Sequence, residues 1–139
     1  MGDEGFMKQQ IEEKLATGYT CIKLKIGAID FNKELDLLQY IRNHFDEKTI
    51  EIRVDANGAF SSKEALAKLN ELAEFNLHSI EQPIKSGNWS EMAQLCQKTP
   101  LPIALDEELI GIFTFEDKER LLLATKPQYI ILKPSLVGG

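Results

Sequence analysis

The sequence predicts an α/β fold of parallel βα units, on three observations. Hydrophobic periodicity switches repeatedly between helical and two-residue spacing along the 139 residues. Cap and turn signals fall at the switches. The alternating runs carry or end on charged side chains, namely Lys23 and Lys25, Asp55, Glu81, Asp106 and Lys133. Strands that alternate with helices pair in parallel through right-handed crossovers.

The elements follow in order. From about Glu4 to Leu15, Phe6, Ile11 and Leu15 recur at helical spacing, and Gly18 stops the helix. "CIKLKIG" (Cys21–Gly27) alternates and reads as a strand. "DFNKELDLLQYIRNHF" (Asp30–Phe45) returns to helical spacing, and "IEIRVD" (Ile50–Asp55) is a strand. "SSKEALAKLNELAEF" (Ser61–Phe75) is a helix with Ser61 and Glu64 placed as a capping box. "HSIEQP" (His78–Pro83) is a short strand. Asn88 and Glu91 repeat the cap pattern before a helix to about Gln97. "LPIALDE" (Leu101–Glu107) is a strand, Thr114 and Asp117 open a helix to about Thr125, and "YIILKP" (Tyr129–Pro134) is the last strand. No low-complexity segment or linker interrupts the pattern, so residues 1–139 read as one domain.

Composition narrows the function classes. Hydrophobic residues make up 43% and charged residues 27%, the balance of a soluble globular chain. A net charge of −6 argues against a nucleic-acid surface. No apolar run approaches the ~18 residues that span a bilayer, so no membrane partner is expected. There is no signal-peptide pattern. Cys21 and Cys96 form no CxxC and read as buried, reduced thiols of a cytoplasmic protein. His44 and His78 lack metal-ligand spacing and read as structural, and Trp89 reads as packing.

The strand ends carry the chemistry. Asp55, Glu81, Asp106 and Lys133 follow one another at intervals of 26, 25 and 27 residues, so each βα unit returns the chain to one edge with a charge ready. Lys23 and Lys25, two apart, point to one face of their strand. An Asp at a strand end is often only a helix cap or turn residue. Acids repeated in register are different, because a parallel sheet is covered on both faces and excludes charge. Charges at the C-terminal ends of barrel strands mark active sites. Converging carboxylates repel one another, and a divalent cation relieves that repulsion. An all-oxygen set without His or Cys suits Mg²⁺ better than Zn²⁺. Lys25 and Lys133 flank the acids. A lysine beside a divalent cation loses its proton more readily and becomes a usable base, while the metal stabilises an enediolate formed next to a carboxylate. Asn57 reads equally as support for the metal or as the Asn-Gly turn with Gly58. Glu107 reads as an outer contact of the site and Glu108 as a solvated face residue.

"KLK" at Lys23–Lys25, "DANGAF" from Asp55, "EQP" from Glu81, "DEE" from Asp106 and "KPS" from Lys133 resemble the enolase superfamily, muconate-lactonizing-enzyme subgroup. "CIKLKIGAIDF", "HSIEQPIK", "LPIALDEELIG" and "YIILKPSLVGG" resemble in particular its o-succinylbenzoate synthases. The resemblance spans essentially the whole chain and implies a partial TIM (β/α) barrel, about strands two to six, with the capping domain absent. It implies a lyase of menaquinone biosynthesis: Mg²⁺-dependent syn dehydration of 2-succinyl-6-hydroxy-2,4-cyclohexadiene-1-carboxylate to o-succinylbenzoate. By the resemblance, Asp55, Glu81 and Asp106 hold Mg²⁺. Lys25 removes the α-proton and then aids loss of hydroxide. Lys133 stabilises the intermediate as a cation from the opposite face, and Lys23 supports the substrate carboxylate or Lys25.

The start, "MGDEGF", resembles the loop and helix after the first barrel strand, and "LVGG" falls just past the sixth. An internal slice of a barrel is therefore expected, weak or inactive alone, with open sheet edges that favour self-association. Two other readings stand beside the dehydratase. A racemase or epimerase of N-acylamino acids or dipeptides needs the same residues. A non-catalytic binding domain on an open α/β sheet would be insensitive to Mg²⁺.

Overall fold

The structure is a computed structural model that describes residues 4–133 and Ser135. Five strands alternate with helices: α1 (Glu4–Ala16), β1 (Cys21–Lys25), α2 (Phe31–His44), β2 (Glu51–Asp55), α3 (Ser62–Ala73), β3 (Ser79–Glu81), α4 (Trp89–Lys98), β4 (Ile103–Leu105), a 3₁₀ turn (Glu107–Leu109), α5 (Phe115–Thr125) and β5 (Tyr129–Ile130). The strands pair in the order β1-β2-β3-β4-β5, all parallel. This is the arrangement of a partial (β/α) barrel.

Local chemistry sets the helix starts. The Asp30 carboxylate accepts from the Asn32 and Lys33 N–H groups, Asn88 Oδ1 from Glu91 N–H and Thr114 Oγ1 from Asp117 N–H. Each bond satisfies a donor that the first helical turn leaves open, worth about 1 kcal/mol. At α3, Ser61 and Glu64 form the expected capping box, the Ser61 N–H donating to Glu64 Oε1 at 3.5 Å.

The strands bury one row of apolar side chains against the helices. Ile22, Ile52, Val54, Ile80, Ile103 and Leu105 meet Leu38 and Ile41 of α2, Leu69 and Leu72 of α3, Met92 of α4 and Leu121 of α5 in one cluster. Burial of each such side chain contributes roughly 1.5–3 kcal/mol. The opposite row, offset by one residue, holds Lys23, Lys25, Arg53, Asp55 and Glu81. The helical coat thus forces the charged residues together on the other face.

Four expectations change. Cys21 is exposed rather than buried, because it begins the edge strand β1 on the row away from the helices; Cys96 is buried on α4. Phe6, placed on the apolar stripe of α1, is half exposed, whereas Ile11 is buried. The strand expected at Tyr129–Pro134 keeps regular pairing only over Tyr129–Ile130, with one further bond from Ile131 N–H to the Leu105 carbonyl; Pro134 and "LVGG" lie outside the described residues. The strand expected at Leu101–Glu107 gives way to the 3₁₀ turn after Leu105. His44 Nδ1 meets the Tyr40 carbonyl, and His78 stacks on Tyr129. Trp89 packs on the core. No helix among the described residues is long and apolar enough to cross a membrane.

Candidate metal centre

Register aligns the first part of the site. Lys25 lies opposite Asp55, and Asp55 opposite Glu81, across β1, β2 and β3. On β4 the residue opposite Glu81 is Ala104, so Asp106 stands two positions further along the chain. The chain turns there, with Asp106 at φ −126° and ψ −79°, and the 3₁₀ turn begins. The result is convergence. Asp55, Glu81 and Asp106 each offer an oxygen, the three oxygens lie within 4.8 Å of one another, and all three residues are buried.

Two lysines neutralise this acid set. Lys23 Nζ lies 2.8 Å from Glu81 Oε2 and 3.5 Å from Asp55 Oδ2. Lys133 Nζ lies 2.7 Å from Asp106 Oδ2. Desolvation pulls the Lys23 pKa down, but the hydrogen bond and charge of Glu81, with Asp55 behind them, outweigh it and the net shift is upward. The hydrogen bond and charge of Asp106 raise Lys133. Both side chains therefore stay cationic. Lys25, at the exposed end of β1, makes no ion pair with the three acids among the described residues.

The donor set fits a hard cation. Its atoms are all carboxylate oxygens, and Asp106 Oδ1 is buried without a hydrogen-bond partner among the described residues. A bare buried carboxylate oxygen is costly unless something positive meets it. Oxygen donors without nitrogen or sulfur match Mg²⁺ or Ca²⁺.

The loops around the acids are tied down. Asn57 (φ 46°) and Gly58 (φ 73°) form the left-handed turn expected of Asn-Gly. Asn57 also supports the site, since its N–H donates to Asp55 Oδ1 and its Nδ2 to Glu107 Oε1, both at 3.0 Å. Asn57 thus makes the Asn-Gly turn and also bridges Asp55 to Glu107. After β1, Gly27 adopts φ +93°, and a Cβ there would come within 2.5 Å of Ala59 Cβ. Its N–H donates to Glu34 Oε1 at 2.6 Å, which anchors the loop that follows Lys25.

Sequence reasoning missed two residues. Glu108, expected on a solvated face, is buried; the 3₁₀ turn points it inward, where Oε2 accepts from Gly87 N–H at 3.1 Å. Gln82 is fully buried at φ 38°, a left-handed conformation that costs a non-glycine residue roughly 1–2 kcal/mol. Nothing in a lone Gln before a proline signals either feature.

Comparison with known proteins adds to this geometry. Residues 7–139 match the family described as enolase C-terminal domain-like. The chain is 61% identical over its full length to an o-succinylbenzoate synthase from Desulfotalea psychrophila, of which it covers 38%. It superposes on the crystal structure of MenC from Desulfotalea psychrophila with a TM-score of 0.91 at 59% identity, covering 100% of this chain and 38% of that one. It is 31% identical over 134 residues to an L-amino acid-D/L-Glu epimerase from Francisella philomiragia, covering 94% of this chain and 36% of the relative. The chain thus spans well under half the length of these relatives.

Proposed function

The chain belongs to the enolase C-terminal domain-like family, and from that premise we propose that it is the catalytic-face part of an o-succinylbenzoate synthase. On this reading residues 1–139 are one piece of a barrel domain. The reaction is syn dehydration of 2-succinyl-6-hydroxy-2,4-cyclohexadiene-1-carboxylate to o-succinylbenzoate and water. The observation that carries the reading is the buried convergence of Asp55, Glu81 and Asp106, with a lysine in register beside them. The 61% identity to an o-succinylbenzoate synthase supports the choice of reaction.

Asp55, Glu81 and Asp106 would hold Mg²⁺. The bound ion supplies a Lewis acid that lowers the energy of negative charge on the substrate carboxylate. Lys25 Nζ would take the proton α to that carboxylate, leaving the C–H electron pair delocalised into the carboxylate until it forms the new ring double bond as the C6–O bond breaks. The same ammonium then gives its proton to the hydroxyl at C6 as the C–O bond breaks, so water leaves and the ring becomes aromatic. One residue serves both steps because the elimination is syn. Lys133, held cationic by Asp106, faces the charge that develops on the substrate. Lys23, held cationic by Glu81 and Asp55, balances the acids and sets their orientation.

The same reading places the protein in the cytoplasm, and its two free thiols suit a reducing compartment. Self-association of this chain taken alone is expected through β5 and the residues just after it, where Tyr129, Ile130 and Leu132 are exposed. A second reading is epimerisation of an amino-acid derivative. The similarity to the epimerase from Francisella philomiragia favours it, and on that reading Lys25 and Lys133 would exchange the α-proton from the two faces.

Appearance of o-succinylbenzoate, followed by its ultraviolet absorbance, tests the proposal in protein carrying this chain within a complete barrel. Mg²⁺-dependent turnover that Lys25→Ala abolishes is expected. A folded, Mg²⁺-binding protein that leaves this substrate unchanged, yet exchanges the α-proton of N-acylamino acids with solvent deuterium, would move the assignment to the epimerase.

A further inference from the structure

Gln82 follows Glu81 directly, and its side chain reaches the turn that follows β4. Its Oε1 accepts from Asp106 N–H at 3.2 Å and from Glu108 N–H at 3.3 Å. Its Nε2 donates to the Ile84 carbonyl at 2.9 Å and to Glu108 Oε1 at 3.4 Å. All the hydrogen-bonding capacity of the amide is used, inside the protein, at zero exposure. Its main chain is equally committed: the Gln82 N–H donates to the Ala104 carbonyl, and the Gln82 carbonyl accepts from Gly58 N–H. The Glu108 carboxylate meets Gln82 with one oxygen and holds Gly87 N–H with the other, so it locks the amide in place.

This network answers a problem of register. Asp106 lies two residues beyond the position opposite Glu81, and a straight β4 would carry it away from the other two acids. The bonds from Asp106 N–H and Glu108 N–H to Gln82 Oε1 turn the chain back towards β3. A glutamine held at φ 38° is a strained solution, retained where the surrounding contacts over-determine it.

We propose that Gln82, locked by Glu108, is a positioning residue that fixes the spacing of Glu81 and Asp106 and thereby selects a small divalent cation. The inference rests on reading the acid set as a cation site. Mg²⁺ demands oxygens at about 2.0–2.1 Å in octahedral geometry, whereas Ca²⁺ accepts about 2.3–2.6 Å and irregular shells. A rigid spacing favours Mg²⁺, and a loosened one penalises Mg²⁺ more than Ca²⁺.

Isothermal titration of the chain with Mg²⁺ and, separately, Ca²⁺ tests this in wild type, Gln82→Met and Glu108→Gln, with circular dichroism as the check on folding. Wild type is expected to bind Mg²⁺. Gln82→Met should weaken Mg²⁺ about 10- to 100-fold and Ca²⁺ by less than about 3-fold. Glu108→Gln, which keeps the side-chain shape, should move the ratio the same way by a smaller factor, and it decides the matter should Gln82→Met unfold. Equal weakening of both ions, or an unchanged ratio, overturns the positioning role and leaves the cation site standing. A wild-type chain that binds neither ion removes the cation site itself, and the positioning role falls with it.

Discussion

The Lys23 ammonium sits between two acids of different strands, 2.8 Å from Glu81 and 3.5 Å from Asp55. It comes from the strand that also carries Lys25, two residues on and on the same face. The protein thus brings its own cation to the carboxylates, and a bound metal must share them with it. A part-exposed ammonium on two buried acids holds the site together without filling it.

Lys23→Met should make the fold more dependent on divalent ions. Loss of the ammonium leaves Glu81 and Asp55 uncompensated and lowers stability by about 1 kcal/mol. Added Mg²⁺ should then raise the melting temperature of Lys23→Met by more than that of wild type. Calorimetric melts with and without 5-fold excess chelator read the difference; equal shifts would contradict it.

Gly27→Ala should destabilise by roughly 1–3 kcal/mol. The added Cβ meets Ala59 Cβ at 2.5 Å while the backbone stays at φ +93°. Because Gly27 anchors the loop after Lys25, activity in a complete barrel should fall further than stability explains. Urea titration beside steady-state rates measures both.

Glu34 gives the pH dependence a sign. Burial raises its pKa above the ordinary 4.5, against the opposing bond from Gly27 N–H. The folded state therefore holds a proton that the unfolded state has lost, and the associated stability is full below pH 4.5 and is lost as pH rises through the folded value. Glu34→Gln keeps an acceptor for Gly27 and removes the titration. Its stability should vary less than that of wild type across the window just above pH 4.5, by chemical denaturation at each pH.

Ile130→Lys should reduce self-association. Ile130 lies on the edge strand β5 among exposed apolar neighbours, and a charge on an edge strand opposes pairing. Light scattering over a concentration series should show the wild-type mass rising and the variant's holding nearer to that of a single chain.

The fold was legible because its signals are local. Asp30, Asn88 and Thr114 mark helix starts within one turn of their partners, and the two-residue period of Cys21–Lys25 and Glu51–Asp55 sets which face is buried. The acids were legible for the same reason, since Asp55 and Glu81 are simply strand ends brought into register. Glu108 and Gln82 were not. Their burial depends on a 3₁₀ turn and on a left-handed backbone that no periodicity announces, and their partners lie 26 residues apart along the chain. The extent of β5 also depends on what pairs with its far side, which a local pattern does not encode.

The most direct test of the central claim is electron paramagnetic resonance of the chain titrated with Mn²⁺, an oxygen-seeking stand-in for Mg²⁺. One tight Mn²⁺ per chain is expected, displaced by Mg²⁺ and lost in Asp106→Asn. No tight site, or a site that Asp106→Asn leaves untouched, would contradict it.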